Sequence, residues 1–235
     1  MKRVLDFLND IGANNNREWF AANKGRYKEA EGVFNAFAEQ LIEAIGQFDP
    51  SVRGLALREA TYRFYRDTRF SPDKTPYKTH FGVYICPGGK KSGNAGYYFH
   101  IEAATASAGS GGGMVGSHMM DAGIYMPEPE VLKSVRDEIF DNGEAVLAAI
   151  AAARDGAGFE LDRTNSLKRT PKGYPAESEW DEYLKLKDLH LSKMMGDDYI
   201  LAPGLAQRAA ADFRATYDFM TLMNRAAKFA HEEAR

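Results

Sequence analysis

The sequence predicts an α+β protein: an antiparallel β-sheet with helices from the N- and C-terminal segments packed mainly on one face. Three observations indicate this class. Apolar residues recur at helical spacing in residues 1–50, and they do so again in residues 128–235. Between them, in residues 60–127, the period changes to two and a Gly-rich turn separates two alternating stretches. Because 235 residues suffice for one core, these three regions are predicted to form a single domain.

The N-terminal region carries three helical patterns in succession. Asparagine is a favoured residue at the start of a helix, so Asn16 is predicted to cap the second helix, which extends to about Glu31. Trp19 and Phe20 in this helix are expected to anchor the core. The alternative for the asparagines at positions 14–16 is that they line a site.

Residues 63–78 concentrate cations, carboxylates and aromatic side chains in one short segment. Its first half, residues 63–70, is predicted to be a β-strand, because aromatic residues dominate it and Ser-Pro closes it. On such a strand Arg66 would share a face with Phe64 and point inward. Asp67 would lie on the opposite face, so Arg66 requires a carboxylate partner from elsewhere in the chain.

Three interpretations of this segment remain open. In the first, its guanidinium and ammonium groups bind a small phosphate- or carboxylate-bearing ligand. In the second, the charges form a structural ion-pair network in a non-catalytic protein-interaction module. Nucleic-acid binding is the third, and the net charge of −3 argues against it. The predicted ligand-binding residues are Arg63, Arg66, Arg69, Lys74, Tyr77 and Lys78.

Two alternating stretches, residues 78–86 and 97–102, are predicted to pair as an antiparallel hairpin with one apolar face. The opposite, mixed face carries Arg63, Tyr65, His80, Tyr84, Tyr98, His100 and Glu102. A one-sided sheet normally exposes such a face to water. Alternatively, two of its histidines perform acid–base chemistry and Glu102 orients an imidazole. The candidate catalytic residues are Asp67, His80 and His100; whether the protein is an enzyme stays open.

Residues 105–121 are rich in Gly, Ser and Ala and lack a core pattern, so they are predicted to form a flexible loop. A short strand is expected at 123–126. His80, Cys86, His100 and His118 lack the close-paired spacing of metal ligands, and neither a metal nor another cofactor is predicted.

The C-terminal region is predicted to begin with helices from Pro129 onward. Short strands are expected at 159–161 and 167–169, and the apolar run 189–191 fits either a helix or a strand. A helical stripe then follows from 205 to 227, in one or two pieces.

Composition limits the class of protein. The single cysteine, Cys86, excludes an intrachain disulfide and is typical of a reducing compartment. No apolar run approaches the roughly 18 residues of a membrane helix, and no signal peptide is visible. We therefore expect a cytoplasmic protein without membrane contact, and the sequence does not indicate its oligomeric state.

A family resemblance follows from these residues. The pattern Arg63-x-x-Arg66-Asp67-x-Arg69-Phe70, followed by Asp73-Lys74-x-x-Tyr77, resembles the hallmark motif of a widespread, mostly bacterial family of about this length. That family is known only as a domain of unknown function, so the resemblance implies a fold and no chemistry. Other stretches similar to those of the family are Asn14–Phe20, Gly96–Tyr98, Tyr125–Pro127 and Pro171–Tyr174.

Overall fold

The computed structural model describes residues 1–102 and 117–233, and its core lies between one face of an antiparallel sheet and a layer of helices. The strands are β1 (His80–Ile85), β2 (Gly96–Glu102), β3 (His118–Ile124), β4 (Glu160–Leu161) and β5 (Leu189–Met195). Their order is β1-β2-β3-β5-β4, with every neighbouring pair antiparallel. The helices are α1 (Lys2–Ala13), α2 (Arg17–Ala22), α3 (Lys24–Gly46), α4 (Leu57–Ala60), α5 (Pro129–Ala157), α6 (Asp181–Leu184), α7 (Asp197–Leu201), α8 (Leu205–Arg214) and α9 (Tyr217–Glu233), with a 3₁₀ helix at Pro50–Val52. The α+β prediction is confirmed.

The apolar face of the sheet is covered by helices from both ends of the chain. Phe37 of α3 contacts Phe99 of β2, with ring centroids 4.7 Å apart. Phe213 of α8 packs edge-on against Tyr97 of β2 at 5.3 Å. Alternation along the strands places these aromatic residues on the same side, so one sheet face and two distant helices share one core.

The N-terminal helices differ from the prediction in where they break. Asn16 caps α2 as expected, and its side chain accepts a hydrogen bond from the Trp19 amide. The chain then leaves helical geometry at Asn23, whose side chain bonds the Trp19 carbonyl. From there α3 continues unbroken to Gly46, so the predicted helix end near Glu31 was wrong.

The C-terminal region contributes strands as well as helices. It supplies β4 and β5, so the ambiguous run at 189–191 is a strand, and the sheet extends beyond the predicted region 60–127. Helix α5 is kinked at Asn142 and packs along α9, where Ser134 donates to the Ala226 carbonyl at 2.7 Å. No helix among residues 1–102 and 117–233 is long and apolar enough to cross a membrane.

The strand predicted at 63–70 is wrong. This segment is irregular and makes only a single bridge, between Tyr65 and Tyr77. Aspartate side chains in and just after this segment bond to nearby backbone amides. Asp67 accepts a hydrogen bond from the Arg69 amide, and Asp73 accepts one from the Thr75 amide. Asp and Ser side chains that bond to nearby backbone groups compete with a strand ladder.

Two further strand predictions were inaccurate. Residues 167–169 form no strand, and an isolated bridge between Ser166 and Leu186 lies beside them. Strand β3 begins at His118, inside the predicted loop 105–121, and it ends at Ile124. The strand contains small residues and a histidine, so its sequence shows no clear alternation of apolar and polar side chains. The remainder of that loop, residues 105–116, lies outside the described residues.

Candidate functional site

The segment 61–79, here called the motif loop, is held against the N-terminal helices by its aromatic residues and by Asn15. The Asn15 side chain donates to the Tyr77 carbonyl at 2.8 Å and accepts from the Tyr77 amide at 3.1 Å. The Tyr77 ring stacks on Phe20 with centroids 4.0 Å apart. Tyr77 is buried, so this predicted ligand-binding residue anchors the loop.

Arg66 stabilises the interior of the motif loop. Its guanidinium pairs with Asp73 at 2.6 Å, and its side chain is only 8% exposed. It also donates to the carbonyl and hydroxyl of Thr75. A hydrogen bond from the Thr75 amide and the Arg66 pair lower the pKa of Asp73. The sequence prediction that Arg66 finds a carboxylate other than Asp67 is confirmed.

Arg69 and Lys74 lie in the exposed part of the motif loop. Arg69 forms a bidentate pair with Asp67 at 2.6 to 3.2 Å, and this hydrogen bonding lowers the pKa of Asp67 to about 2. Lys74 donates to the Thr68 carbonyl at 2.9 Å. Asp67 is therefore an ionised partner of Arg69 at neutral pH, whereas the other two candidate catalytic residues, His80 and His100, lie on strands of the sheet.

Arg63 and Lys78, like Lys74, have no carboxylate partner among the described residues of the chain. Neither forms an ion pair within 4 Å with any acidic residue of 1–102 and 117–233. Burial lowers the pKa of Lys78, and the neighbouring charge of Arg63 lowers it further. The Lys78 ammonium lies 5.2 Å from the ring centroid of Tyr62. Lys78 is thus partly removed from water and within range of the charge of Arg63.

The strand register brings the two predicted catalytic histidines together. Gly82 is opposite His100, and His80 is opposite Glu102, so the histidines are diagonal neighbours on one face. Their ring centroids are 4.6 Å apart. The same face, here called the polar sheet face, carries His80, Gly82, Tyr84, Tyr98, His100, Glu102, Asp121, His190 and Ser192.

His100 is held at both ring nitrogens. The Tyr98 hydroxyl lies 2.9 Å from Nδ1, and a carboxylate oxygen of Glu102 lies 3.4 Å from Nε2. Gly82 makes room for this arrangement, because a Cβ atom there would lie 2.6 Å from the Tyr98 hydroxyl. The alternative in which Glu102 orients an imidazole therefore has a structural basis.

His80 differs from His100 because its Nδ1 atom is buried without a hydrogen-bond partner in the described part of the chain. Burial lowers the pKa of His80 to about 3, and the nearby His100, Lys78 and Arg66 act in the same direction. The imidazole is therefore neutral at pH 7. The unpaired nitrogen costs about 1–3 kcal/mol, which a bound group could recover.

The comparison with protein families identifies the chain at the level of its family. The family model described as "Conserved hypothetical protein (DUF2461)" matches residues 3–222. The chain belongs to this family. No curated protein and no solved structure matches the chain. The resemblance predicted from the motif is confirmed, and the family description names no activity, so the chemistry has to be argued from the site.

The polar sheet face of this family member is not the solvated surface that was the sequence expectation. His80 is 7% exposed, and His100 and Glu102 are each 1% exposed. Tyr62 packs edge-on against Tyr98, with centroids 6.4 Å apart, and so covers part of the face. Charged and polar groups that are enclosed in this way respond strongly to neighbouring charges. Lys78 and Arg66 of the motif loop supply such charges near His80.

A second polar cluster on the same face was missed by the sequence reasoning. The His190 ring lies 3.8 Å from both Asp121 and Asp162, and Ser192 donates to Asp121 at 2.5 Å. Burial alone would lower the pKa of His190, but Asp121, Asp162 and Asp188 outweigh it and raise the pKa. No local motif marks this cluster, because its members come from three separate segments that only the strand order brings together.

Two recesses formed by described residues lie away from the motif loop and from the histidines. One, of about 390 Å³, lies between α3 and the segment before α4 and is lined by residues such as Glu43 and Arg53. Another, of about 180 Å³, is formed by Arg136 of α5 and the turn 171–174. Among residues 1–102 and 117–233, no three acidic, histidine or cysteine side chains are arranged to hold a metal ion.

Proposed function

We propose that the protein binds a small phosphate- or carboxylate-bearing anion between Arg63 and Lys78, where the motif loop joins β1. The observation that carries the proposal is the unbalanced charge at this place. Lys78 is partly buried beside Arg63, and the described residues give neither cation a carboxylate within ion-pair distance. An anion between them would replace their repulsion with attraction and favour the charged form of Lys78.

The charge balance of the motif loop supports this assignment. Its two carboxylates are already committed, Asp67 to Arg69 and Asp73 to Arg66. The remaining side chains therefore present a net positive charge, although the whole chain is slightly acidic. Ionised donors form the strong hydrogen bonds that bind phosphate and carboxylate groups.

The other predicted ligand-binding residues have supporting roles in this proposal. Arg66 and Tyr77 fix the shape of the loop from its buried side. Arg69 and Lys74 are exposed and contribute long-range attraction to an anion, which salt would screen. The proposal thus assigns direct contacts with the anion to Arg63 and Lys78. The other four residues either keep the loop rigid or attract the anion from a distance.

His80 adds a neutral hydrogen-bonding group near the anion. Lys78 and Arg66 are close enough for their charges to lower the pKa of His80. Because the unpaired Nδ1 atom is enclosed, a ligand reaches it only when side chains at the loop–strand junction move. The irregular backbone of the motif loop has few ladder hydrogen bonds to oppose such a movement.

Calorimetric titration with inorganic phosphate and with acetate tests the proposal. Lys78→Met keeps the apolar stem and removes the charge, and we expect it to weaken binding roughly tenfold or more. Lys172→Met, in an exposed turn far along the chain, is the matched control and should leave binding unchanged. Absence of binding by the wild type, or equal losses in the two variants, would refute the proposal.

The protein-interaction alternative is favoured by one observation, Phe70. This ring is 94% exposed at the outer end of the motif loop, and the Arg69 guanidinium lies 5.8 Å from its centroid. Exposed aromatic residues beside arginine are typical of interface anchors. In this second candidate function the motif loop docks on a protein partner, and Phe70→Ala would abolish capture of that partner without affecting anion binding.

Nucleic-acid binding remains the third and least favoured candidate, because the net charge of −3 provides no broad positive surface. Nucleic-acid binding would be indicated by an affinity for oligonucleotides that falls steeply as the salt concentration rises.

A further inference from the structure

The cations of the proposed anion site are interleaved with exposed aromatic rings. Tyr62 is 44% exposed, and Tyr65, three residues further along the chain, is 48% exposed. Each of these two rings therefore leaves part of its large apolar area in contact with water beside the cations. Such rings next to cations are the combination that binds nucleotides, by stacking on the base and by contacts to the phosphate.

Tyr62 occupies the position from which a ring could meet a ligand of this site. Its ring centroid lies 5.2 Å from the Lys78 ammonium and 5.9 Å from that of Lys90. Its edge packs against Tyr98 on the polar sheet face. Tyr62 is thus supported from one side by the sheet and remains partly open to solvent, directly before Arg63 in the chain.

Hydrogen-bonding capacity is also available further along the polar sheet face. Tyr98 links Tyr62 to His100, and His100 in turn contacts His80, whose Nδ1 atom is more than nine-tenths buried and unpartnered. A purely aliphatic anion would use the cations and leave both the ring and the nitrogen without a partner. A heteroaromatic ring offers a π-face for Tyr62 and polar edge atoms for His80.

We propose that the anion bound at Arg63 and Lys78 is carried by a heteroaromatic ring, as in a mononucleotide, and that this ring packs on Tyr62. The inference rests on the proposed function, since it names the substrate class of the same site. The phosphate lies at the two cations, the ring lies on Tyr62, and His80 hydrogen-bonds a polar atom of the ring. The main contact of the ring is through its face, which all heteroaromatic rings share. The affinity therefore depends more on the presence of a ring than on which ring it is.

The test is a calorimetric series with adenosine 5′-monophosphate, ribose 5-phosphate and inorganic phosphate. We expect the nucleotide to bind roughly tenfold more tightly than ribose 5-phosphate, as stacking on one aromatic residue contributes. Tyr62→Ala should remove this difference between the nucleotide and ribose 5-phosphate, whereas Tyr62→Phe should preserve it. Phe229→Ala, at an exposed ring on α9, is the control and should change neither affinity.

The outcomes separate the inference from the function on which it rests. Equal affinities for the nucleotide and ribose 5-phosphate, with both lost in Lys78→Met, would overturn the ring assignment and keep the anion site. No binding of any phosphate compound would overturn both. A single-stranded oligonucleotide that binds far more tightly than the mononucleotide, with a steep salt dependence, would overturn the small-ligand assignment in favour of nucleic acid.

Discussion

Acidification should destabilise the protein through His80. Burial lowers the pKa of His80 to about 3 in the folded state, whereas an unfolded histidine has a pKa near 6.5. Between these two values the unfolded state binds a proton that the folded state does not, so the free energy of unfolding falls as the pH falls. From pH 7 to pH 5 this linkage amounts to a loss of about 2 kcal/mol.

Other groups in the structure contribute differently over the same interval. The pKa of His190 is raised, so its stabilisation is present at low pH and is lost as the pH rises through its folded pKa; it opposes the effect of His80. The lowered pKa values of Asp67 and Asp73 give stabilisation that is constant between pH 5 and 7 and is lost only in stronger acid. A variant at His80 is therefore needed to isolate its contribution.

The assay is urea unfolding of the wild type and of His80→Phe at pH 7 and pH 5. The variant retains a ring against His100 and removes the titrating group, so its loss of stability on acidification should be smaller by about 2 kcal/mol. Equal losses in the two proteins would refute the reasoning. Proton NMR of the wild type provides a check that does not depend on the variant, because a His80 ring that titrates near its ordinary pKa would contradict its enclosed position.

Two further predictions concern the frame of the site. Asp73→Asn removes the charge that pairs with the nearly buried Arg66 and should lower the free energy of unfolding by roughly 2–3 kcal/mol; a change within 0.5 kcal/mol, about what exposed sites show, would mean that the pair has no structural role. Gly82→Ala should lower the free energy of unfolding by about 1–3 kcal/mol, because the added Cβ would lie 2.6 Å from the Tyr98 hydroxyl. In a Tyr98→Val background most of that penalty should disappear. Equal costs of Gly82→Ala in the two backgrounds would contradict the steric explanation.

The elements that could be predicted from the sequence are those with a strong local period. The alternation in 78–86 and 97–102 identified β1 and β2, and the asparagine before Arg17 identified the start of α2. The segment 63–70 misled the prediction, because an aromatic-rich stretch is typical of a strand, while the Asp67 side chain bonds the nearby Arg69 amide. Strand β3 was placed too late, since its first residues carry no clear alternation.

The candidate site could be predicted only in its parts. Arg63, Lys78, His80 and His100 were identified by residue type, yet the proximity of the two histidines depends on a strand register that no local pattern specifies. The burial of the polar sheet face could not be foreseen either, because alternation along a strand does not show whether its polar face is covered. The cluster around His190 was missed for the same reason: long-range pairing of β3, β5 and β4 creates it.

The most direct test of the anion site is a crystal structure of the protein soaked in selenate, located by its anomalous scattering. Selenate has the shape and charge of sulfate and resembles phosphate. The account predicts an anomalous peak within hydrogen-bonding distance of both the Lys78 ammonium and the Arg63 guanidinium, and no such peak in crystals of Lys78→Met. A peak that persists in that variant, or anions bound only elsewhere on the surface, would contradict the central claim.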